Sequence, residues 1–181
     1  MRFAVYVEGL AEMQFVADVL QKYSGYDPHR CGFVCINLRA DIFERVSFPQ
    51  QGDENSANYY QIVNVNNDNL VVSKLKKDIP GLLEQGYNVV IGLRDVYSDV
   101  YKELCEGQRR IDFDVIKAMH KMQMDAVDDK SGVLRLHFSI MEYEAWMLAL
   151  IGNYVVERGQ EMEQLCRNLC IDMSVDPEIG R

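Results

Sequence analysis

Six carboxylates stand where short apolar runs stop. Phe3-Ala4-Val5-Tyr6-Val7 ends in Glu8, and Glu12 follows after one helical turn. Asn88-Val89-Val90-Ile91-Gly92-Leu93 is followed by Arg94, Asp95 and, a little further on, Asp99. The run from Val133 to Ser139 is followed by Glu142 and Glu144. A side chain placed directly after an apolar strand is held rigidly, and several carboxylates held on one rim suit a hard cation. Mg²⁺ takes octahedral oxygen ligation from one or two carboxylates, with water and substrate phosphates completing the shell. Two such ions can clamp the attacking and leaving oxygens of a phosphodiester. Without a cation, carboxylates this close repel and raise one another's pKa. Each residue also has an ordinary alternative. Glu8 can salt a neighbouring lysine, Glu12 can complement the dipole of a first helical turn, and Asp99 can be plain loop polarity. Asp95 can cap a turn or partner Arg94, whose guanidinium can otherwise neutralise a phosphate. Glu142 and Glu144 share a face on a strand and not on a helix.

The elements that would hold these residues are readable from periodicity. Phe3–Val7 is short, apolar and β-rich, and Gly9 breaks it. From Ala11 to Tyr23, Phe15, Val16, Val19, Leu20 and Tyr23 form a helical stripe. Gly32–Leu38 reads as a second strand, Pro49–Asn58 as an exposed polar loop, and Tyr59–Val65 as a short extra strand. Asp68 reads as an N-cap for a helix carrying Leu70, Val71, Leu75, Ile79, Leu82 and Leu83. Pro80 inside that stripe implies a kink or two abutting helices, and Gly86 stops it. Asn88–Leu93 is a buried strand. After a polar loop, Asp112 or Asp114 can cap a helix with Val115, Ile116, Met119, Met122 and Val127 turned inward. Val133–Ser139 is a further strand. Helical pattern returns at Tyr143–Leu150 and from Val155 to about Leu169, and Asp172–Arg181 has no periodicity.

The order β-α-β-(β)-α-β-α-β-α predicts an α/β fold. Its architecture is a three-layer α/β/α sandwich around a mostly parallel sheet of four to five strands. Ligands in such folds bind outside the carboxyl ends of the strands, where the carboxylates lie. The 181 residues suit one domain spanning 1–181, with a C-terminal helix and tail from about residue 153. Hydrophobic residues make up 48 %, enough for a core.

The net charge of −9 disfavours passive binding of phosphate backbones, but a carboxylate-rich metal enzyme would carry it. No apolar run reaches membrane-spanning length, and Glu8 interrupts the N-terminal run too early for a signal peptide. With five cysteines, an odd number, this predicts reduced thiols in a cytoplasmic protein. Cys31 and Cys35 share a strand, which sets them about 13 Å apart at ~3.3 Å per residue, too far for a zinc knuckle. Cys166 and Cys170 could share a helix face. His29, His120 and His137 lack a metal-binding context. Met119, Met122 and Met124 read as packing, Trp146 as core, and Lys74, Lys76 and Lys77 as a solvated basic face. Phosphate-loop, dinucleotide and nucleophile-elbow motifs are absent.

Val7-Glu8-Gly9-Leu10-Ala11-Glu12 followed by Phe15-Val16 resembles the E-G-x-x-E opening of Toprim-like domains, found in topoisomerases, DnaG-type primases and OLD-family nucleases. Val90-Ile91-Gly92-Leu93-Arg94-Asp95 looks like their third-strand acidic motif. Ser139-Ile140-Met141-Glu142-Tyr143-Glu144-Ala145-Trp146-Met147-Leu148 resembles the E-x-E-A-W-x-L signature of the bacterial domain-of-unknown-function family 4276, a Toprim relative linked with phage defence. The resemblance covers Phe3 to about Leu150. It implies that Glu8 serves metal binding and acid–base work, that Glu12 is the second glutamate of nuclease-like versions, and that Asp95 is a metal-binding acid. Glu144 matches the glutamate of E-A-W. Tyr97 replaces the second acid of D-x-D, leaving Asp99 as its substitute, and Ala11 stands where relatives often carry Thr or Ser.

These readings lead to a Mg²⁺- or Mn²⁺-dependent nuclease of phage defence. Glu8 and Asp95 would be its catalytic core, and Glu8, Glu12, Asp95, Asp99 and Glu144 its metal ligands. The rival is a catalytically inactive Toprim-like interaction module beside a partner ATPase. Topoisomerase chemistry is disfavoured, because the chain leaves little room for a separate tyrosine-bearing domain. A third reading is an acidic intracellular domain of unrelated function.

Overall fold

Ala4, Val5, Tyr6 and Val7 are all buried, so strand β1 (Arg2–Val7) is covered on both faces, as a central strand of a parallel sheet must be. The computed structural model describes residues 1–39, 42–67, 70–96, 99–105 and 112–139. The chain divides into two compact units, 1–94 with 117–138 and 95–116 with 139–181. After β1 come α1 (Leu10–Ser24), β2 (Cys31–Arg39), β3 (Ile42–Gln51), β4 (Asn58–Asn64), α2 (Leu70–Glu84) and β5 (Val89–Asp95). They are followed by α3 (Asp99–Leu104), α4 (Phe113–Val127) and β6 (Leu134–Ser139).

The fold is α/β, with a mostly parallel sheet in the order β3-β2-β4-β1-β5-β6. β1 pairs in parallel with β4 and β5, and β2 pairs in parallel with β4. β3 is antiparallel at the edge. Alternation along β1 sorts the core of the first unit onto two faces. Val5 and Val7 join Met13 and Ala17 of α1 with Phe33, Cys35 and Ile62. Ala4 and Tyr6 join Val71, Leu75 and Ile79 of α2 with Val90, Val127 and Leu136. The chain runs β1–α1–β2 toward one edge of the sheet and β4–α2–β5 toward the other. Right-handed crossovers running in opposite directions put their helices on opposite faces.

Several expectations are corrected. The sheet has six strands, because Ile42–Gln51 forms β3. Pro49 lies in that strand and not in the loop, since an edge strand can leave a backbone N–H out of the ladder. The expected extra strand, β4, is central. β5 continues through Arg94 and Asp95, so neither is a loop residue. The polar interval before α4 contains α3. α2 is one helix running through Pro80. It ends with Gly86 at a positive φ of 81°, where the Tyr87 amide bonds the Leu82 carbonyl.

Asp112 is the cap of α4, accepting from the amides of Asp114 and Val115 at 3.0 and 3.2 Å. Met122 is 52 % exposed, because the inward face of α4 runs through Ile116, Met119, Gln123 and Val127. Asp68, Trp146, Cys166, Cys170, the helices expected at Tyr143–Leu150 and Val155–Leu169, and the tail lie outside the described residues. No helix among the described residues is long and apolar enough to cross a membrane.

Candidate functional site at the carboxyl end of the sheet

β1 and β5 are neighbours whose outgoing connections part company. The chain leaves β1 for β2 on one side and leaves β5 for β6 on the other. In open α/β sheets such a divergence is the usual place of the ligand. In the first unit an ion pair stands there. Arg94 Nε donates to Glu8 Oε1 at 3.0 Å, with the two side chains 5 % and 8 % exposed. Glu8 stands there because it is the first residue past β1. Gly9 then turns the chain, in extended backbone geometry, into α1.

Arg94 follows the apolar run Val89–Leu93 of β5 and is itself buried, so it must find a counter-charge. It finds Glu8 across the strand pair, and not the adjacent Asp95. This is the sole side-chain hydrogen bond of Arg94 among the described residues, and its Nη2 is buried with no hydrogen-bond partner.

Glu12 is half-buried in the first turn of α1. A Cβ added at Gly9 would meet Glu12 Oε2 at 2.7 Å, so the missing side chain at position 9 is what lets this carboxylate fold back over the helix start. Glu8, Glu12 and Arg94 therefore belong to the first unit. Asp95, half-buried at the end of β5, and Asp99, the first residue of α3, belong to the second. Asp95 is engaged in interactions of its own. The side chain of Asp99, together with Tyr97, Glu142 and Glu144, lies outside what is described.

Among the described residues, no group of three or more His, Cys, Asp or Glu side chains comes together to hold a metal ion. A closed protein cage of the zinc or calcium kind is thus not formed by them. Mg²⁺ asks for less, one or two carboxylates with water and substrate oxygens supplying the rest. The oxygen donors of Glu8 and Glu12 fit that demand.

Two polar groups of the first unit have roles that sequence reasoning did not indicate. Asn64, fully buried at the end of β4, pairs in register with Val7. Its Nδ2 donates to Asn37 Oδ1 at 3.0 Å and to Asn66 Oδ1 at 2.9 Å. Asn66, at a φ of 58°, returns its amide to Asn64 Oδ1 and donates through Nδ2 to the Leu38 carbonyl. This closed network turns the chain out of β4. Its signal was Asn-rich sequence at a strand end, where side-chain amides replace ladder bonds.

Lys74 is the second surprise. It is buried, not part of a solvated face as Lys76 and Lys77 are. Its Nζ lies 3.3 Å from Asp78 Oδ1 and 5.1 Å from the Phe43 ring centroid, while Asp78 Oδ2 accepts from Tyr6 Oη at 2.9 Å. Burial, then the charge and hydrogen bond of Asp78, push the Tyr6 hydroxyl far up. Cys31 and Cys35 are packed against α1, and burial pushes the Cys35 thiol up to about 12. A thiol held protonated is a poor zinc ligand. Comparison with protein-family models, curated proteins and solved structures finds no match for this chain.

Proposed function

We propose that this chain is a Toprim-like, Mg²⁺- or Mn²⁺-dependent enzyme that cleaves or transfers phosphodiesters in nucleic acid, acting in the cytoplasm in phage defence. One observation carries the reading. A buried carboxylate, Glu8, stands at the divergence of β1 and β5, with its charge offset by Arg94 of the neighbouring strand. A bound ion would supply Lewis-acid polarisation of the phosphate and activation of water. The residues that would hold it are Glu8 and Asp95, with Glu12, Asp99 and Glu144 completing the shell. Glu8, fixed by its bond to Arg94, is the carboxylate positioned to take a proton. The same bond also favours a second reading, because a carboxylate already neutralised by arginine has less need of a cation. That reading is a non-catalytic interaction module beside a partner ATPase.

Mn²⁺ titration by calorimetry, with cleavage assays on single- and double-stranded DNA and RNA, separates the two. The enzyme predicts micromolar to low-millimolar Mn²⁺ binding and metal-dependent cleavage, both lost in Glu8→Ala and Asp95→Ala. A folded native chain that neither binds Mn²⁺ nor cleaves any substrate in its presence overturns the enzyme reading in favour of the module.

A further inference from the structure

The Glu8–Arg94 pair uses half of the guanidinium edge that faces a carboxylate. Nε and Nη2 form a planar fork whose two N–H bonds commonly grip one anion side by side. Here Nε takes Glu8 Oε1, and Nη2 is buried with no partner. Buried polar groups in folded proteins are almost always bonded, and an exception calls for an explanation. Lys74–Asp78, also buried, leaves no such remainder on its acid, since both Asp78 oxygens are engaged. The orphan donor also lies at the topological switch point of the sheet, where ligands of this architecture bind.

We propose that Arg94 is the phosphate-binding residue of this site. Glu8 fixes the guanidinium through Nε, and Nη2 donates to a non-bridging oxygen of a nucleic-acid phosphodiester. The inference deepens the proposed function and rests on it for the identity of the phosphate. It gives Glu8 a positioning role toward Arg94 in addition to any contact with an ion. Because a guanidinium needs no metal to hold a phosphate oxygen, the contact forms without a divalent cation.

The test is titration of the full native chain in EDTA with inorganic phosphate, then with a short single-stranded oligonucleotide. The side-chain N–H resonances of Arg94 are the readout, identified by their loss in Arg94→Lys. Saturable shifts of those resonances are expected, with oligonucleotide binding weakened about tenfold or more in Arg94→Lys, which keeps the charge and loses the fork. If the substitution prevents folding, the Arg94 side-chain resonances are assigned through bonds in the isotope-labelled native chain, and the native titration decides.

Resonances that respond to phosphate no more than to chloride at equal ionic strength overturn the proposal, as does native-like binding by a folded Arg94→Lys. Phosphate binding at Arg94 without any metal-dependent cleavage would sink the enzyme reading and leave this site standing. Cleavage with an unchanged KM in Arg94→Lys would do the reverse.

Discussion

Lys74–Asp78 and Glu8–Arg94 are both ion pairs taken out of water, yet only the first is complete. Asp78 receives Lys74 on one oxygen and the Tyr6 hydroxyl on the other, and the ammonium also lies over the Phe43 ring. It ties α2 to β1 in the middle of a packed face. Glu8–Arg94 sits at the strand ends and retains an unbonded Nη2. A buried ion pair alone is weak evidence for anything, because desolvation consumes most of the Coulomb gain. Between these two buried pairs, the leftover donor and not the burial is what singles out the proposed phosphate contact; Arg2 also keeps an unbonded Nε, but its pair with Glu54 is exposed.

The largest effect expected follows from breaking each pair from one side. Glu8→Ala leaves the Arg94 guanidinium buried without a counter-charge and should cost about 3–5 kcal/mol in urea unfolding. Replacing both members by apolar residues, as in Glu8→Leu with Arg94→Met, should recover most of that loss while leaving nothing to bind phosphate. Lys74→Met should cost less, because Asp78 keeps the Tyr6 bond and its side chain is 15 % exposed. Equal losses for Glu8→Ala and Lys74→Met would break the comparison.

Much of this architecture was legible because burial leaves a periodic trace. Alternation in β1 and stripes at helical spacing in α1 and α2 identify the elements and their inward faces. β3 left no trace: it is an edge strand, joined through its backbone to β2 on one side, so its side chains need no apolar alternation. Lys74 was misread because its neighbours Lys76 and Lys77 suggested a basic face. The position next to Leu75 and four residues before Asp78 was the better guide. Gln123 misled similarly, since a polar residue holds the inward slot of α4 and made Met122 the apparent core residue. At the site, Glu8 was legible as a rigid carboxylate after a strand. Its pairing with Arg94 depends on strand order, which spacing along the chain does not encode.

Gly92 offers a test that separates packing from chemistry. It lies on β5 two residues before Arg94, and a Cβ there would meet Leu75 Cδ1 at 2.7 Å and Leu136 Cδ1 at 2.8 Å. Gly92→Ala should cost about 1–3 kcal/mol through overpacking while leaving the fold's charge pattern intact. Phosphate affinity retained in the folded fraction would show that losses in Glu8 and Arg94 variants are not generic consequences of instability. Tyr6→Phe should cost about 1 kcal/mol, the ordinary net value of one hydrogen bond. Its pH dependence carries more information. The Tyr6 hydroxyl is pushed up, first by desolvation and then by Asp78, so its folded pKa exceeds its unfolded value. The neutral form is favoured in the fold, and that contribution is fully present below the unfolded pKa of about 10 and lost as pH rises above it. The stability gap between the native chain and Tyr6→Phe should therefore narrow above that pH in alkaline denaturation series. A constant gap would mean that Tyr6 does not stay protonated against Asp78.

Asp129 supplies the smallest effect and the sharpest contrast, a charge held by hydrogen bonds without a buried cation. It sits before β6 and accepts from the hydroxyl and amide of Ser131 and from the Leu134 amide. Desolvation pushes its carboxyl upward, and the bonds from Ser131, Leu134 and Val133 outweigh it, leaving the pKa below the ordinary value. The sign is opposite to that of Tyr6. The stabilisation is present above the unfolded pKa of about 3.9 and is lost as pH falls through the lower folded value. Because the group is partly exposed, its contribution is screened, and Asp129→Asn should cost about 1 kcal/mol or less at neutral pH. The difference from the native chain should vanish in acid, followed as thermal midpoints between neutral pH and the onset of acid unfolding. A difference that persists undiminished in acid would mean that the loop is held by shape and neutral hydrogen bonds. The carboxylate charge would then contribute nothing, and among the acids compared only those facing a cation, Glu8 and Asp78, would depend on charge.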